Sequence, residues 1–311
     1  MRADPVQEPM FAILNTMLNI IAPIFLVVGL AVLFDRRFKP DPRVLSRLII
    51  YLLGPFLIFR GIAQSDLRAG EMGLIVAMAA LLSLIIAVIG WGLARIFRFD
   101  QKLESVFLLT VVLINAGNYG MPLNEFAFGQ AGLQRAVIFY VTTSVIVNTL
   151  GVFLASRGTA SIGQSLLNVL KVPLPYATAL GLFFNVTGLS LPLPLDRVVG
   201  LLSQAVVPAM LVILGLQLSR TTVKGRLGPI ALATIVRLVV APLIAFPLAA
   251  LLGLSGVTRQ VCIIEASMPT AVMSGVMATE FGSDAQFATA VILVSTLVSI
   301  ITLSVLLHLV A

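Results

Sequence analysis

Asn115-Ala116-Gly117-Asn118-Tyr119-Gly120-Met121-Pro122 is a polar, glycine-containing stretch that ends on proline. The residues around it are apolar enough to cross a bilayer. A peptide group without a partner costs several kcal/mol in hydrocarbon, so such an interruption survives only inside protein or beside a wet cavity. Half-helix ends at membrane mid-depth are where secondary transporters hold their ligands. The stretch therefore points to an all-α polytopic membrane protein that carries a solute.

Composition agrees. Hydrophobic residues make up 59% of the 311 and charged residues 11%, against about 25% charged in soluble domains. One cysteine, Cys262, and one histidine, His308, exclude a disulfide or a multi-ligand Cys/His metal site within one chain. The net charge of +7 is scattered over short loops. No single basic patch for nucleic acid results. Met1 to Pro9 has neither the short apolar region nor the small-residue cleavage site of a signal peptide, so the first span is expected to be retained.

A hydrocarbon core of about 30 Å needs about 20 apolar residues as helix. Ten segments qualify: 10–34, 44–64, 72–97, 104–128, 132–156, 174–191, 196–219, 228–252, 257–281 and 285–310. Lys and Arg gather in alternate loops, at Arg36, Arg37, Lys39 and Arg43, then Arg98 and Lys102, Arg157 and Lys171, and Arg220, Lys224 and Arg226. The other side holds fewer: Arg2, Arg68, Arg135, Arg197 and Arg259. The positive-inside rule then places both termini outside. In the linker 157–173, Ile162, Leu166, Leu167 and Leu170 suit either a small interfacial amphipathic helix or a plain connection.

The second five spans look like a repeat of the first five, and an odd number of spans makes the two halves inverted. Gly54-Pro55-Phe56-Leu57 resembles Val207-Pro208-Ala209-Met210, and each proline is followed nine residues later by a glutamine, Gln64 or Gln217. Ile114-Asn115-Ala116 matches Ile264-Glu265-Ala266, and Ser267-Met268-Pro269-Thr270 is a second candidate break. Paired Pro/Gly interruptions in matching spans mark a transporter site. The units are a first repeat, 1–156, a linker, 157–173, and a second repeat, 174–311.

Asn115 to Leu123, followed by Phe128-Gly129, resembles the auxin efflux carrier family in its Asn, its glycine-rich break, its proline and its downstream Phe-Gly. Pro55, Pro173, Pro208 with Leu214-Gly215-Leu216-Gln217, and Arg237 to Pro242 extend the likeness over nearly the whole chain. The long hydrophilic central loop of plant members is missing, so the chain is similar to compact bacterial members. The resemblance implies ten helices in two inverted five-helix repeats, a fold similar to bile-acid symporters and sodium/proton antiporters. Helices four and nine would be broken and cross at mid-membrane. Scaffold or dimerisation helices would fall in 10–64 and 174–219, and the moving, elevator-type transport domain in 72–156 and 228–310. The implied partners are a small organic anion, auxin-like or dicarboxylic, the lipid of a bacterial inner membrane, and a second copy of the chain.

Asn115 and Asn118 can bind a carboxylate or cap a broken backbone, since amides both donate and accept. Gly117 and Gly120 would allow the turn, and Pro122 fits the first turn of the following half-helix, whose N-terminus favours an anion. Glu265 and Arg237 are the two ionisable residues well inside spans, and such charges face a partner or a wet cavity. Glu265 is a candidate for a coupling H+ or Na+, Arg237 for the substrate carboxylate, and a static buried pair of the two is the bland alternative. Pro269 stands where the symporter fold would place an amide ligand for sodium, which weighs against a sodium site. Gln64 and Gln217 either line the scaffold face of the pocket or solvate helix ends. Asn15, Asn19, Asn148 and Asn185 are expected to bond between helices. Tyr51 and Trp91 read as ordinary membrane residues.

The leading function is a secondary transporter of an organic anion. A cation/proton antiporter using Glu265 and an anion channel are the alternatives. An enzyme is not expected, because one embedded Glu supplies no paired carboxylates, metal cluster or activated nucleophile. No GxxxxGK[ST] sequence is present to bind ATP, and no cofactor is implied.

Overall fold

The computed structural model describes residues 7–156, 169–221 and 226–310. Ile162, Leu166 and Leu167, with most of the 157–173 linker, lie outside them. The described chain is helical, with one isolated backbone bridge and no strand. Helix α1 covers 7–38, α2 Pro42–Ala63, α3 Ala69–Ile96 and α4 Gln101–Val112. Helices α5 (116–128) and α6 (130–155) share one run, and α7 covers Leu174–Thr187. Helices α8 (Leu193–Ser219), α9 (Leu227–Leu251), α10 (Gly256–Ala266), α11 (Met273–Glu280) and α12 (Ala285–Val310) complete the order.

Seven helical runs among the described residues are long and apolar enough to cross a membrane. Helices α4, α10 and α11, of 12, 11 and 8 residues, are each too short to do so alone. Helix α7 stops after 14 residues because Gly188 takes the left-handed conformation (φ 66°) at its C-cap, earlier than the expected boundary at 191. The Ala116–Ala155 run doubles back at Gly129 (φ 63°, ψ −153°), a conformation that favours glycine. Its two arms then face each other, with Gly117 against Tyr140, and the second arm continues along α4, where Gly151 lies against Leu113 and Ser105 Oγ donates to Leu154 O at 2.7 Å.

Proline shapes the spans in a repeated way. Four widened, π-type turns, Met17–Ile21, Ile49–Leu53, Ala116–Gly120 and Val236–Val240, are each followed two residues later by a proline: Pro23, Pro55, Pro122 and Pro242. In each, the N–H just after the turn reaches back five residues, as Met121 does to Ala116 O. Proline cannot donate to the carbonyl four residues back, and its ring pushes that carbonyl away. One extra residue in the preceding turn takes up the misfit without breaking the helix. A fifth such turn, Val147–Gly151, has no proline after it.

Small residues let helices touch. A Cβ on Gly215 of α8 would lie 2.6 Å from the Ala31 methyl of α1, and one on Gly181 of α7 would lie 3.0 Å from Ile62 Cβ of α2. Between apolar helices in lipid, such close backbone approach is the main source of packing.

Side-chain bonds define the two ends of the molecule. At one, Arg220 donates to Asp35 and to Pro40 O, and Asp100, Lys102, Arg226 and Asp284 line one recess. At the other, Gln64 bonds Asp196, Gln134 bonds Gln64 O, Asn185 bonds Ile62 O and Ser65 O, and Gln260 bonds Val310 O. The first end carries the lysine- and arginine-rich turns and is called the basic end below. Helix α1 finishes at the basic end and α12 finishes at the opposite one. The helix starts at 7 and ends at 310 therefore lie at the same end.

Candidate functional site

The runs ending in α4 and α10 both break near the middle of the bundle and resume as α5 and α11. Leu113–Asn115 and Pro269–Ala271 run extended past one another. Ile114 and Thr270 form an antiparallel bridge, with Asn115 N–H donating to Pro269 O at 2.9 Å and Ala271 N–H to Leu113 O at 2.8 Å. Each break thus satisfies part of the other's exposed backbone, as a structure buried in hydrocarbon requires.

The first break lies earlier than the sequence suggests. Gly117 and Gly120 are inside the helical run, and neither has positive φ. Their missing side chains serve close approach instead of a turn. A Cβ on Gly117 would sit 2.8 Å from the Tyr140 ring, and one on Gly120 would sit 2.6 Å from Glu265 Oε1. Pro122 occupies the second position after the widened turn, behind the break. Across the crossing, Leu113–Asn115 faces Pro269–Ala271.

Arg237, 1% exposed, sits in the widened turn of α9. Its guanidinium donates to Ala266 O at 2.7 Å, Met268 O at 3.0 and 3.3 Å, and Val111 O at 3.1 Å. These are the last carbonyl of α10, the next-to-last of α4 and one in the second break. A cation there answers both the unpaired carbonyls and the negative ends of two helix dipoles. The planar guanidinium has five donors and suits several acceptors at once. Arg237 does not line the cavity beside the crossing, and no ion pair joins it to Glu265 among the described residues. The static pair is thus not what holds either residue.

Glu265 is fully buried on α10. Oε1 accepts from Asn124 Nδ2 at 2.9 Å, and the same amide nitrogen donates to Gly120 O at 3.0 Å. Glu265 Oε2 and Asn124 Oδ1 are buried with no hydrogen-bond partner.

A cavity of about 430 Å³ opens beside the crossing toward the basic end. Asn115, Gly117 and Asn118 line it at the start of α5, and Ala271, Val272 and Met273 at the start of α11. Both resumed helices therefore turn their N-termini, with first-turn N–H groups and positive dipole ends, toward this space. Asn115 Nδ2 is buried there without a partner. Gln217 also borders the cavity, while no charged side chain does among the described residues. Gln64 belongs elsewhere. It bonds Arg60 and Asp196 in a second cleft of about 840 Å³, at the opposite end between α2, α8 and the α5–α6 turn.

Sequence reasoning passed over several wall residues. Tyr51 faces the cavity. So do Tyr140, Thr143, Ser144 and Asn148 of α6, whose spacing of three and four residues puts them on one helical face. That polar stripe in an apolar span was a usable signal. Asn148 bonds Ser144 O within its own helix, and Asn19 likewise bonds Asn15, where bonds between helices were expected. Asn185 does bond between helices. Asn124, the partner of Glu265, went unnoticed.

Seven apolar runs of membrane-crossing length among the described residues, packed with shorter broken helices that cross beside the cavity, define a multi-pass membrane protein. The chain matches the model of a family described as membrane transport protein over residues 13–307 and belongs to it; this is the auxin efflux carrier family. It is 27% identical over 266 residues to an uncharacterized transporter of Methanothermobacter thermautotrophicus, covering 85% of this chain and 88% of that one. A second uncharacterized transporter, from Methanocaldococcus jannaschii, is 27% identical over 270 residues, covering 84% and 87%. The protein is therefore a membrane transporter.

Proposed function

We propose that this transporter is a secondary carrier of a small organic anion, bound in the cavity beside the crossing. The observation that carries this reading is the orientation of the two broken runs. Both resumed helices aim positive N-terminal ends and free N–H groups at the cavity, while Arg237 neutralises the negative ends behind it. A carboxylate gains from such N–H groups and dipole ends without a facing cation. Asn115 Nδ2 offers an unpaired donor and Asn118 a second amide. The cavity suits a small acid and its polar wall orients it.

The finer architecture belongs to the same proposal. Ten spans form two inverted five-helix repeats, with α4–α5 as the fourth span and α10–α11 as the ninth. Lys- and Arg-rich turns face the cytoplasm, so both termini lie outside a bacterial plasma membrane and the cavity opens inward. Helices α1, α2, α7 and α8 serve as scaffold, and the crossing group moves against them. Gln134 to Gln64 O, at 3.1 Å, joins the two groups at the outer end and would part when access alternates.

Purified protein is screened for thermal stabilisation by mono- and dicarboxylates, with neutral amides of the same acids as controls. Native-state ligands raise the melting temperature by mass action. Stabilisation by acids but not amides, with saturable counter-exchange in proteoliposomes, supports the carrier. Stabilisation by inorganic cations alone sinks it, and flux without saturation or exchange makes the pore a channel.

A further inference from the structure

The geometry points to Glu265 as a proton-binding site, occupied in this conformation, whose occupancy permits an anion to enter the cavity. The second half rests on the anion-carrier reading; the first does not.

The carboxyl group is fully buried and has a single hydrogen bond, from a neutral amide. An ionised carboxylate in apolar surroundings requires a paired cation or several donors, and otherwise neutralises. The charged and titratable groups on every element packed against α10 leave none for it. On α9, Arg237 is bound to three carbonyls. On α6 and α3, Arg135 and Glu71 pair with each other at the outer end and both bond Thr258. On α5, Glu125 bonds Gln130. The phenol of Tyr119 is a neutral group, and His308 lies toward the outer end of α12, where Gln260 bonds Val310 O. On α10 itself, Cys262 is a buried free thiol and Arg259 stacks over Phe246. What remains at Oε2 is an oxygen with nothing bonded to it, beside Gly120. A proton on that oxygen removes the charge, and the acid still accepts from Asn124 through Oε1.

The site is separate from the cavity and joined to it by one turn of helix. Glu265 is not on the cavity wall. Its bond runs to Asn124, the same amide holds Gly120 O, and Gly120 lies two residues from Asn118 on that wall. An ionised Glu265 would stand roughly one or two helical turns from a bound carboxylate. Like charges at such a distance, at the effective dielectric of a protein, weaken binding on the order of tenfold. The proton comes from solvent and goes back to it; no covalent change is needed. Thr258, Cys262 and Glu265, four and three residues apart, share one face of α10 that leads from the outer-end Glu71–Arg135 cluster to the carboxyl.

The full chain in nanodiscs is examined by infrared difference spectroscopy near neutral pH, with no ligand. A carboxylic-acid C=O stretch is expected in the wild type, shifted in D2O and lost in Glu265→Gln. A folded wild type without that band overturns the proton site, whatever the cargo. If Glu265→Gln does not fold, the band should move in Glu265→Asp, and an unmoved band overturns the assignment. In a second arm, benzoate and malonate are titrated in steps from about pH 6 up to the alkaline limit of the folded protein. Wild-type affinity should fall by up to about tenfold as Glu265 loses its proton, and Glu265→Gln should keep one affinity throughout. Equal pH dependence in the two proteins overturns the linkage. The band without binding of either acid upholds the proton site and overturns the anion reading, and the linkage with it.

Discussion

Arg237 and Glu265 are the most buried of the Asp, Glu, Lys and Arg side chains among the described residues, and they are held in opposite ways. Arg237 makes four hydrogen bonds to three carbonyls on two broken runs. Glu265 has one bond and a bare oxygen. Depth in the membrane is costly for both. Saturated partners mark a group that fixes structure. The proposed proton site rests on the missing partners, so the contrast is between a group that fixes the crossing and one proposed to respond.

The largest expected effect tests the structural half. Arg237→Met should lower stability by about 3–5 kcal/mol, because it strands the carbonyls of Val111, Ala266 and Met268. Arg237→Lys should recover only part, since an ammonium cannot match the planar fork. Thermal unfolding in detergent measures both, and a mutant as stable as the wild type would dissolve the contrast. Next is Gly120→Ala, whose methyl would meet the Glu265 carboxyl. A loss of about 1–3 kcal/mol is expected, relieved in Gly120→Ala/Glu265→Ala. Strict additivity in that cycle would separate the two residues. Asn118→Ala should then weaken acid binding by about 1–2 kcal/mol with little change in unfolding; unchanged affinity in folded protein leaves Asn118 as backbone support only. Gln64→Ala is the smallest, a few tenths of a kcal/mol in stability, because its contacts are exposed. A larger loss would make the outer cleft part of the core.

Hydrophobic length alone placed most helix ends within a few residues, and 285–310 coincides with α12. Pattern also located both interrupted runs, since proline, glycine and amides cannot hide in an apolar span. The finer geometry was harder to read. The break in the first run falls on Leu113–Asn115, two apolar residues and an amide, because proline-linked widening absorbed the conspicuous Gly–Pro segment into the helix. The pattern sets Arg237 and Glu265 well inside their spans. Depth fixes height but not azimuth, and the carbonyls that claim the guanidinium exist only because two other helices end there. Gln64 and Gln217 occupy like positions after Pro55 and Pro208 in sequence, yet they face clefts at opposite ends of the molecule.

The bridge at the crossing is written in main-chain atoms. Its donors are the N–H groups of Asn115 and Ala271, and its acceptors are the carbonyls of Pro269 and Leu113. Side-chain substitution at these four positions leaves every one of those atoms in place, except that proline at 115 or 271 would delete a donor. Pro269 is tolerated because the bridge asks only for its oxygen. The chain can therefore alter the chemistry of the cavity wall over evolutionary time while the joint that shapes that wall stays beyond the reach of almost any single codon.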